Sequence, residues 1–222
     1  MIRDAWVLFT KDLVIEARTR ERVAAMALFA FIVLVTFGFA FDPARTDLRP
    51  VFAGLVWVEI FLAGQMGIAR SFAVERETDV LTAIRLSPVD PMAVICAKLM
   101  VNGLLLLVVE AVAVPLSFSL FHVPARFPLA PFLLVMALTT LGFLVSGTLL
   151  SAVSLHLRMG ELLLPLFLFP LLVPVILGGV ESLGFVLSGH VDAAYGWLRI
   201  IVAYDALFLA LSLWLSDSLW EV

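Results

Sequence analysis

The chain has 222 residues, of which 63% are hydrophobic and 14% are charged, and its formal net charge is −4. Ordinary soluble domains carry about 25% charged residues, so this composition excludes a soluble globular protein. The longest polar stretches are residues 1–22 and 70–91, and neither can bury a core large enough to fold alone. We therefore predict one all-α integral membrane domain over residues 1–222, and we expect no nucleic acid among its partners.

The N-terminal segment is predicted to form an amphipathic helix over residues 2–20 that lies in the membrane interface. Helical spacing puts its apolar residues on one stripe and charged residues on another. The apolar stripe comprises Ile2, Trp6, Phe9, Leu13 and Ala17, and the charged stripe comprises Asp4, Lys11 and Arg18. Acidic residues distinguish this segment from a signal peptide, which begins with a basic region.

Six apolar stretches follow, each near or above the roughly 20 residues that a helix needs to cross a bilayer. The predicted spans are residues 23–41, 51–69, 94–120, 129–155, 162–180 and 198–216. Ten of the 14 Lys and Arg residues fall in or beside segments that the predicted spans place on the same side of the membrane as the N-terminus. The other four fall on the opposite side of the membrane. Cytoplasmic segments carry the excess of basic residues, so both termini are predicted to be cytoplasmic.

The loop at residues 70–91 is the most informative polar segment. Asp79 can cap a helix start, Leu81 and Ile84 have helical spacing, and Pro88 follows as a stop signal. We predict a cytoplasmic helix within residues 72–86 that docks into a groove of another protein. A solvated surface helix is the alternative.

The fourth and fifth predicted spans carry different packing signals. Small residues on two neighbouring faces of the fourth span favour close helix packing, either within the chain or in a dimer. The fifth span contains Pro165, Pro170 and Pro174, which remove backbone donors and are predicted to kink the helix. Residues 181–193 are apolar but too short to cross again, so we predict a re-entrant or surface-lying outer hairpin there.

Three acidic residues, Glu59, Glu110 and Asp205, lie within predicted spans. No basic residue lies at their depth, so each is protonated through desolvation, hydrogen-bonded to a neighbour, or exposed to an outward-facing wet cavity. Carboxyl groups inside the membrane are candidates for function, and the alternative is a neutral carboxyl that fixes helix packing.

The sequence contains no phosphate-binding loop of the type Gly-x-x-x-x-Gly-Lys-Ser/Thr, so it cannot hydrolyse nucleotide by that motif. His122, His156 and His190 are isolated, and no His/Cys cluster has metal-ligand spacing. No arrangement of nucleophile and base can be read from the spacing either. We therefore expect neither a metal site nor catalysis in this chain.

Two segments resemble a known family. Residues 70–77 read Arg-Ser-Phe-x-x-Glu-x-Glu, residues 81–89 read Leu-x-x-Ile-Arg-Leu-Ser-Pro-Val, and Lys98 lies early in the next span. Together with the proline-studded segment at residues 163–177, this pattern resembles the B permease subunit of the cytochrome c maturation ABC transporter, the heme exporter protein B family.

The resemblance implies a six-span ABC-2 type subunit of the bacterial inner membrane that pairs with two copies of a separate ATPase subunit. It also implies a second membrane subunit or second copy, a haem-handling membrane subunit and a haem chaperone. ATP would bind the ATPase, and haem would bind a sister subunit or the chaperone, with no cofactor on this chain. The residues expected to couple to the ATPase are Phe72, Glu75, Glu77, Asp79, Leu81, Ile84 and Arg85.

Other functions remain open at this stage. An ABC-2 permease for lipid, polysaccharide or drug export would share the six spans and the docking loop. A proton-coupled transporter would use the three intramembrane acids as a relay without any ATPase, although no inverted pair of interrupted spans is visible. A structural assembly factor is the third alternative.

Overall fold

The computed structural model describes residues 2–43, 45–77, 90–154 and 160–216, and within them it is built from helices without strands. The helices are α1 (Ile2–Thr19), α2 (Glu21–Phe41), α3 (Phe52–Glu77), α4 (Pro91–Leu120), α5 (Leu129–Ser154), α6 (Gly160–Leu187) and α7 (Val191–Leu215). Six of them, α2 to α7, are long and apolar enough to cross a membrane. This confirms the prediction of an all-α protein with six spans.

Helix α3 lies at the centre of the bundle. It packs against α2 and α4 on one side and against α5 and α6 on the other, while α7 packs on α5 and α6. In its most apolar stretch 72% of the residues are buried, against 17% in α2. Helices α2 and α7 are therefore peripheral, and their exposed apolar side chains suit contact with lipid or with another membrane helix.

Helix α1 confirms the predicted N-terminal helix, but only part of its apolar stripe packs against the hydrophobic core. Ile2 and Trp6 are 82% and 58% exposed, whereas Asp12 and Glu16 are buried against the neighbouring helices. Arg20, at φ 55°, interrupts the helix before α2 begins. Exposed apolar residues on α1 are compatible with the interfacial position that the sequence predicts, because lipid can cover them.

Helix α5 shows why small residues are needed in the core. A Cβ atom on Gly142 would lie 2.5 Å from Asp205 Oδ1, and one on Gly147 would lie 2.6 Å from Ile68 Cδ1. Ser151 Oγ also donates to the carbonyl oxygen of Ile68 at 3.3 Å. The small residues of α5 therefore serve close packing within this chain.

The predicted cytoplasmic helix at residues 72–86 differs from the structure at its start. Residues 72–77 belong to α3, which continues beyond its apolar part to Glu77. No glycine or proline interrupts the sequence there, so nothing ends the helix at the edge of the span. Residues 78–89 lie outside the described residues.

The prediction of a separate outer hairpin at residues 181–193 was wrong. Helix α6 continues to Leu187, a turn contains Gly189 at φ 83°, and α7 begins at Val191. The two helices pack tightly, since a Cβ atom on Gly178 would lie 2.7 Å from Ile201 Cγ1. The predicted span ended at residue 180, whereas the helix continues to Leu187.

Helix α6 is continuous across Pro165, Pro170 and Pro174. Proline removes one backbone donor without ending the helix where neighbouring helices enclose the segment. The kink that the sequence predicts at these positions remains a prediction. Helix α4 contains a further internal proline, Pro115.

Candidate functional site

Glu59 lies on α3 and is 2% exposed. Its Oε2 atom is 2.8 Å from Ser117 Oγ on α4, while Oε1 has no hydrogen-bond partner in the part of the chain that the structure describes. Ser117 Oγ also lies 2.9 Å from the carbonyl oxygen of Ala113 and has a single proton. When that proton goes to Ala113, the carboxyl of Glu59 must be protonated and donate to Ser117.

A cavity of about 240 Å³ between α2 and α4 reaches Glu59. Its other lining residues are apolar, namely Val23, Ala27, Ala30, Phe31, Leu34, Val108, Val109, Val112, Ala113 and Leu116. The lining includes neither of the other intramembrane acids. One carboxyl in an apolar cavity can bind a hydrogen-bond donor, but it provides no charged pathway.

Glu110 lies on α4 and is also buried. Thr140 Oγ1, on α5, donates to Glu110 Oε1 at 2.6 Å. This hydrogen bond joins α4 to α5 and satisfies one carboxyl oxygen. Its geometry fits a residue that fixes the packing of two helices.

Asp205 lies on α7 and is 4% exposed, and among the described residues neither of its carboxyl oxygens has a hydrogen-bond partner. The carboxyl lies against α5 at Gly142. An unpartnered carboxyl at such a close helix contact is costly, so it requires a proton, a water molecule or another polar group.

The three acids do not form one cluster. Glu59 bonds across α3 and α4, Glu110 bonds across α4 and α5, and Asp205 faces α5 from α7. Within the described ranges, none of them forms an ion pair. The described residues likewise contain no group of acidic, His or Cys side chains suited to hold a metal ion.

Sequence reasoning missed a second set of polar residues, at the end of the bundle where α2 and α4 begin. Lys98 Nζ on α4 lies 2.7 Å from Asp12 Oδ2 on α1, and both side chains are buried. Lys11 Nζ lies 3.1 Å from Asp12 Oδ1. We refer to the Asp12 and Lys98 contact as the α1–α4 ion pair.

The electrostatics keep Asp12 ionised. Burial opposes ionisation, but the charges of Lys98 and Lys11 and their hydrogen bonds outweigh it and lower the pKa of Asp12 below 3.8. The contribution of Asp12 to the stability of the fold is therefore present above the unfolded-state pKa of its carboxyl group. That contribution is lost as the pH falls through the lower pKa of the folded state. At neutral pH Asp12 is therefore ionised.

A chain of hydrogen bonds extends from the same region. Glu16 on α1 accepts from Arg22 Nε at 3.0 Å, and Arg22 Nη1 donates to Asn102 Oδ1 at 3.3 Å. Asn102 Nδ2 then donates to Ser71 Oγ on α3 at 3.1 Å. We call Glu16, Arg22, Asn102 and Ser71 the polar chain.

A sequence signal for these contacts does exist. Asp12 and Glu16 are four residues apart on α1, and Lys98 and Asn102 are four residues apart on α4, so each pair shares a helix face. The matching of two such faces depends on how the helices pack, so the pattern by itself does not identify partners.

The residues predicted to couple to an ATPase are only partly covered by the structure. Phe72, Glu75 and Glu77 lie on the last part of α3, at the end of the bundle where α4 begins. Asp79, Leu81, Ile84 and Arg85 fall outside the described residues. Their roles remain predictions.

The profile of the family described as "CcmB protein" matches residues 3–217. This chain belongs to the CcmB protein family. "Heme exporter protein B" of Rhodobacter capsulatus is 30% identical over 175 residues, covering 78% of this chain and 79% of that protein. The Pseudomonas aeruginosa protein of the same name is 28% identical over 213 residues, covering 96% of this chain and 90% of its own length.

The Paracoccus denitrificans "Heme exporter protein B" is 27% identical over 176 residues, covering 79% of this chain and 80% of its own length. These similarities confirm the resemblance that the sequence motifs indicate. The family match spans α1 through α7, so it includes the polar chain, the α1–α4 ion pair and the three intramembrane acids. This chain is accordingly a multi-pass membrane protein of the CcmB family.

Proposed function

We propose that this chain is the permease subunit of an ATP-driven membrane complex that serves haem export in cytochrome c maturation. The CcmB family match over residues 3–217 carries the proposal, and the three relatives named "Heme exporter protein B" support it. The complex either exports haem itself or releases a haem-loaded chaperone. The protein acts in the bacterial inner membrane, with both termini in the cytoplasm.

In this proposal ATP is hydrolysed by a separate subunit, present in two copies, and not by this chain. The sequence has no phosphate-binding loop, and the described residues are almost wholly helices of a membrane bundle. Haem binds a sister subunit or a chaperone, and a second membrane subunit or second copy completes the permease. Residues 72–86 contact the ATPase.

The docking prediction is tested by replacing Leu81 and Ile84 together with Asp. Charges on an apolar docking face prevent burial against the partner, so the ATPase should no longer co-purify in mild detergent. A matched control places two aspartates at Arg45 and Arg49, exposed on the opposite side of the bundle. Normal ATPase stoichiometry in the Leu81/Ile84 variant, with the bundle intact, would refute docking through this segment.

Export of a lipid, polysaccharide or drug is the second candidate, because the same architecture serves ABC-2 permeases generally. Deletion of the chain distinguishes the two: loss of c-type cytochromes supports the first, and their normal assembly supports the second. A proton relay through the three acids gains no support from the geometry, since they face different helices.

A further inference from the structure

Helix α1 contacts the bundle through buried charge. The α1–α4 ion pair joins Asp12 to Lys98 at 2.7 Å, and the apolar residues Ile2 and Trp6 lie largely outside the contact. A helix whose sole role is membrane anchoring needs only an apolar face toward lipid. Buried opposite charges add a defined position and orientation, because their energy depends on close geometry.

The polar chain connects α1 to three other helices. Glu16 Oε1 accepts the backbone N–H of Val23 at 3.0 Å, so this side chain of α1 caps the first turn of α2. Through its other oxygen it holds Arg22, which reaches Asn102 on α4. The side-chain oxygen of Asn102 accepts from Arg22, and its side-chain nitrogen donates to Ser71 on α3.

Ser71 is the residue through which the polar chain contacts α3. It is the last residue of the apolar part of α3, and the helix continues from it to Glu77 without a break. Rotation or displacement of α3 at Ser71 is therefore transmitted directly to residues 72–77. The residues that follow are those to which the proposed function assigns ATPase contact.

We infer that α1 is a positioning element for the ATPase-docking segment, acting through Glu16, Arg22, Asn102 and Ser71. This inference rests on the proposed function for the identity of the docking partner. The Asn102–Ser71 hydrogen bond depends on direction as well as distance, so it adds a specific constraint on the rotation of α3 at the end of its apolar part. The α1–α4 ion pair keeps α1 in the position from which Glu16 caps α2.

The first test alters Ser71, the point where the polar chain meets α3. Ser71→Ala removes the hydroxyl acceptor and Ser71→Thr retains it, so these two variants are a matched pair. A spin label at an Arg76→Cys position, in a Cys96→Ala background, reports the mobility of the end of α3. We expect Ser71→Ala to make the label more mobile and Ser71→Thr to leave it unchanged.

The same pair is then compared in complex with the ATPase. We expect Ser71→Ala to lower the ATP hydrolysis rate of the purified complex several-fold, with Ser71→Thr at the wild-type rate. Equal label mobility and equal hydrolysis in both variants would overturn the inference. If wild-type protein retains no ATPase, the proposed function fails, and the spin-label comparison still decides whether the polar chain positions α3.

The second test uses Cys96, the single cysteine of the chain, as a reporter of α1 docking. Cys96 lines a cavity of about 660 Å³ between α1 and α4, together with Trp6 and Met100. Asp12→Lys places two cations together and should detach α1. Labelling of Cys96 by a maleimide should then rise on the order of tenfold. In the separate Cys96→Ala background, the spin label at position 76 should become mobile.

Restoring the opposite charges provides the specific control. The double variant Asp12→Lys with Lys98→Asp should return both the labelling rate and the label mobility toward wild-type values. The milder Asp12→Asn variant repeats the test if charge reversal prevents folding. Detachment of α1 without any change at position 76 would show that α1 does not position the docking segment.

Discussion

The buried acids of this protein occupy two contrasting environments. At the end of the bundle where α2 and α4 begin, Asp12 and Glu16 face Lys98 and Arg22 at 2.7 and 3.0 Å. Deeper in the spans, Glu59 and Glu110 each bond to a hydroxyl group. Neither carboxyl oxygen of Asp205 has a hydrogen-bond partner within the described ranges.

The contrast follows from the cost of burying charge. A buried ion pair keeps both charges because each compensates the other, whereas an isolated carboxylate in an apolar bundle is strongly disfavoured. The paired acids therefore act as charged structural contacts. The acids without an ion pair either remain neutral as packing groups or await a partner from outside the part of the chain that the structure describes.

Removal of one charge from the paired region should produce the largest loss of stability. Lys98→Met retains the length of the side chain but leaves the buried Asp12 with Lys11 as its remaining counter-charge among the described residues. We expect the free energy of unfolding to fall by about 3 kcal/mol, the lower end of the range for breaking a buried pair. This change in the free energy of unfolding is measured by unfolding the protein in mixed micelles that contain dodecyl sulfate.

The matched control is Arg49→Met, which breaks an exposed contact with Asp47 at 3.5 Å. Exposed pairs contribute only about 0–1 kcal/mol. Equal stability losses in the two variants would contradict the distinction between buried and exposed charge pairs in this protein.

A methyl group beside the unpaired acid on α7 should have an intermediate effect. Gly142→Ala puts a Cβ atom 2.5 Å from Asp205 Oδ1 and 3.2 Å from Val175 Cγ2, so α5 must separate from its neighbours. We expect a loss of about 1–3 kcal/mol, as for other overpacked cores. The same micelle unfolding assay detects this loss.

Gly184→Ala is the control, because a Cβ atom on Gly184 meets no atom within 4 Å. Alanine stabilises a helix by roughly 0.5–1 kcal/mol relative to glycine, so this variant should be neutral or more stable. A destabilised Gly184→Ala protein alongside an unaffected Gly142→Ala protein would reverse the packing assignment.

Amide replacement of the hydroxyl-bonded acids should have the smallest effect on stability and should separate packing from function. Glu59→Gln and Glu110→Gln preserve shape, and each amide can keep a hydrogen bond to its hydroxyl partner, so losses should stay near about 1 kcal/mol. We expect Glu59→Gln alone to impair cytochrome c maturation, since Glu59 lines a cavity and one of its carboxyl oxygens has no hydrogen-bond partner among the described residues. Maturation is measured at equal membrane abundance.

Asp205→Asn extends the comparison to the acid without a partner. If Glu59→Gln supports normal maturation, Glu59 is a packing residue, like Glu110, and the candidate functional residues reduce to those of the docking segment. If all three amide variants fail at normal abundance, the neutral packing role assigned to Glu110 is wrong.

Apolar length and charge distribution determined most of the fold from the sequence alone. Six stretches long enough to cross a bilayer appear as the spans α2 to α7, and the amphipathic pattern at residues 2–20 appears as α1. This success has a simple physical reason, because a chain in lipid must satisfy its backbone hydrogen bonds internally and long helices do so. The family motifs can also be recognised in the sequence.

Only the tertiary structure decided which polar residues meet. Asp12 and Lys98 are 86 residues apart in the chain, and Asn102 and Ser71 are 31 apart, so no local pattern reports their contacts. The same limit applies to α6, where the close approaches of Gly178 to Ile201 and of Gly179 to Thr139 are visible only in the packed bundle. Side-chain partners depend on the rotation and spacing of packed helices, and those quantities arise only when the whole bundle forms.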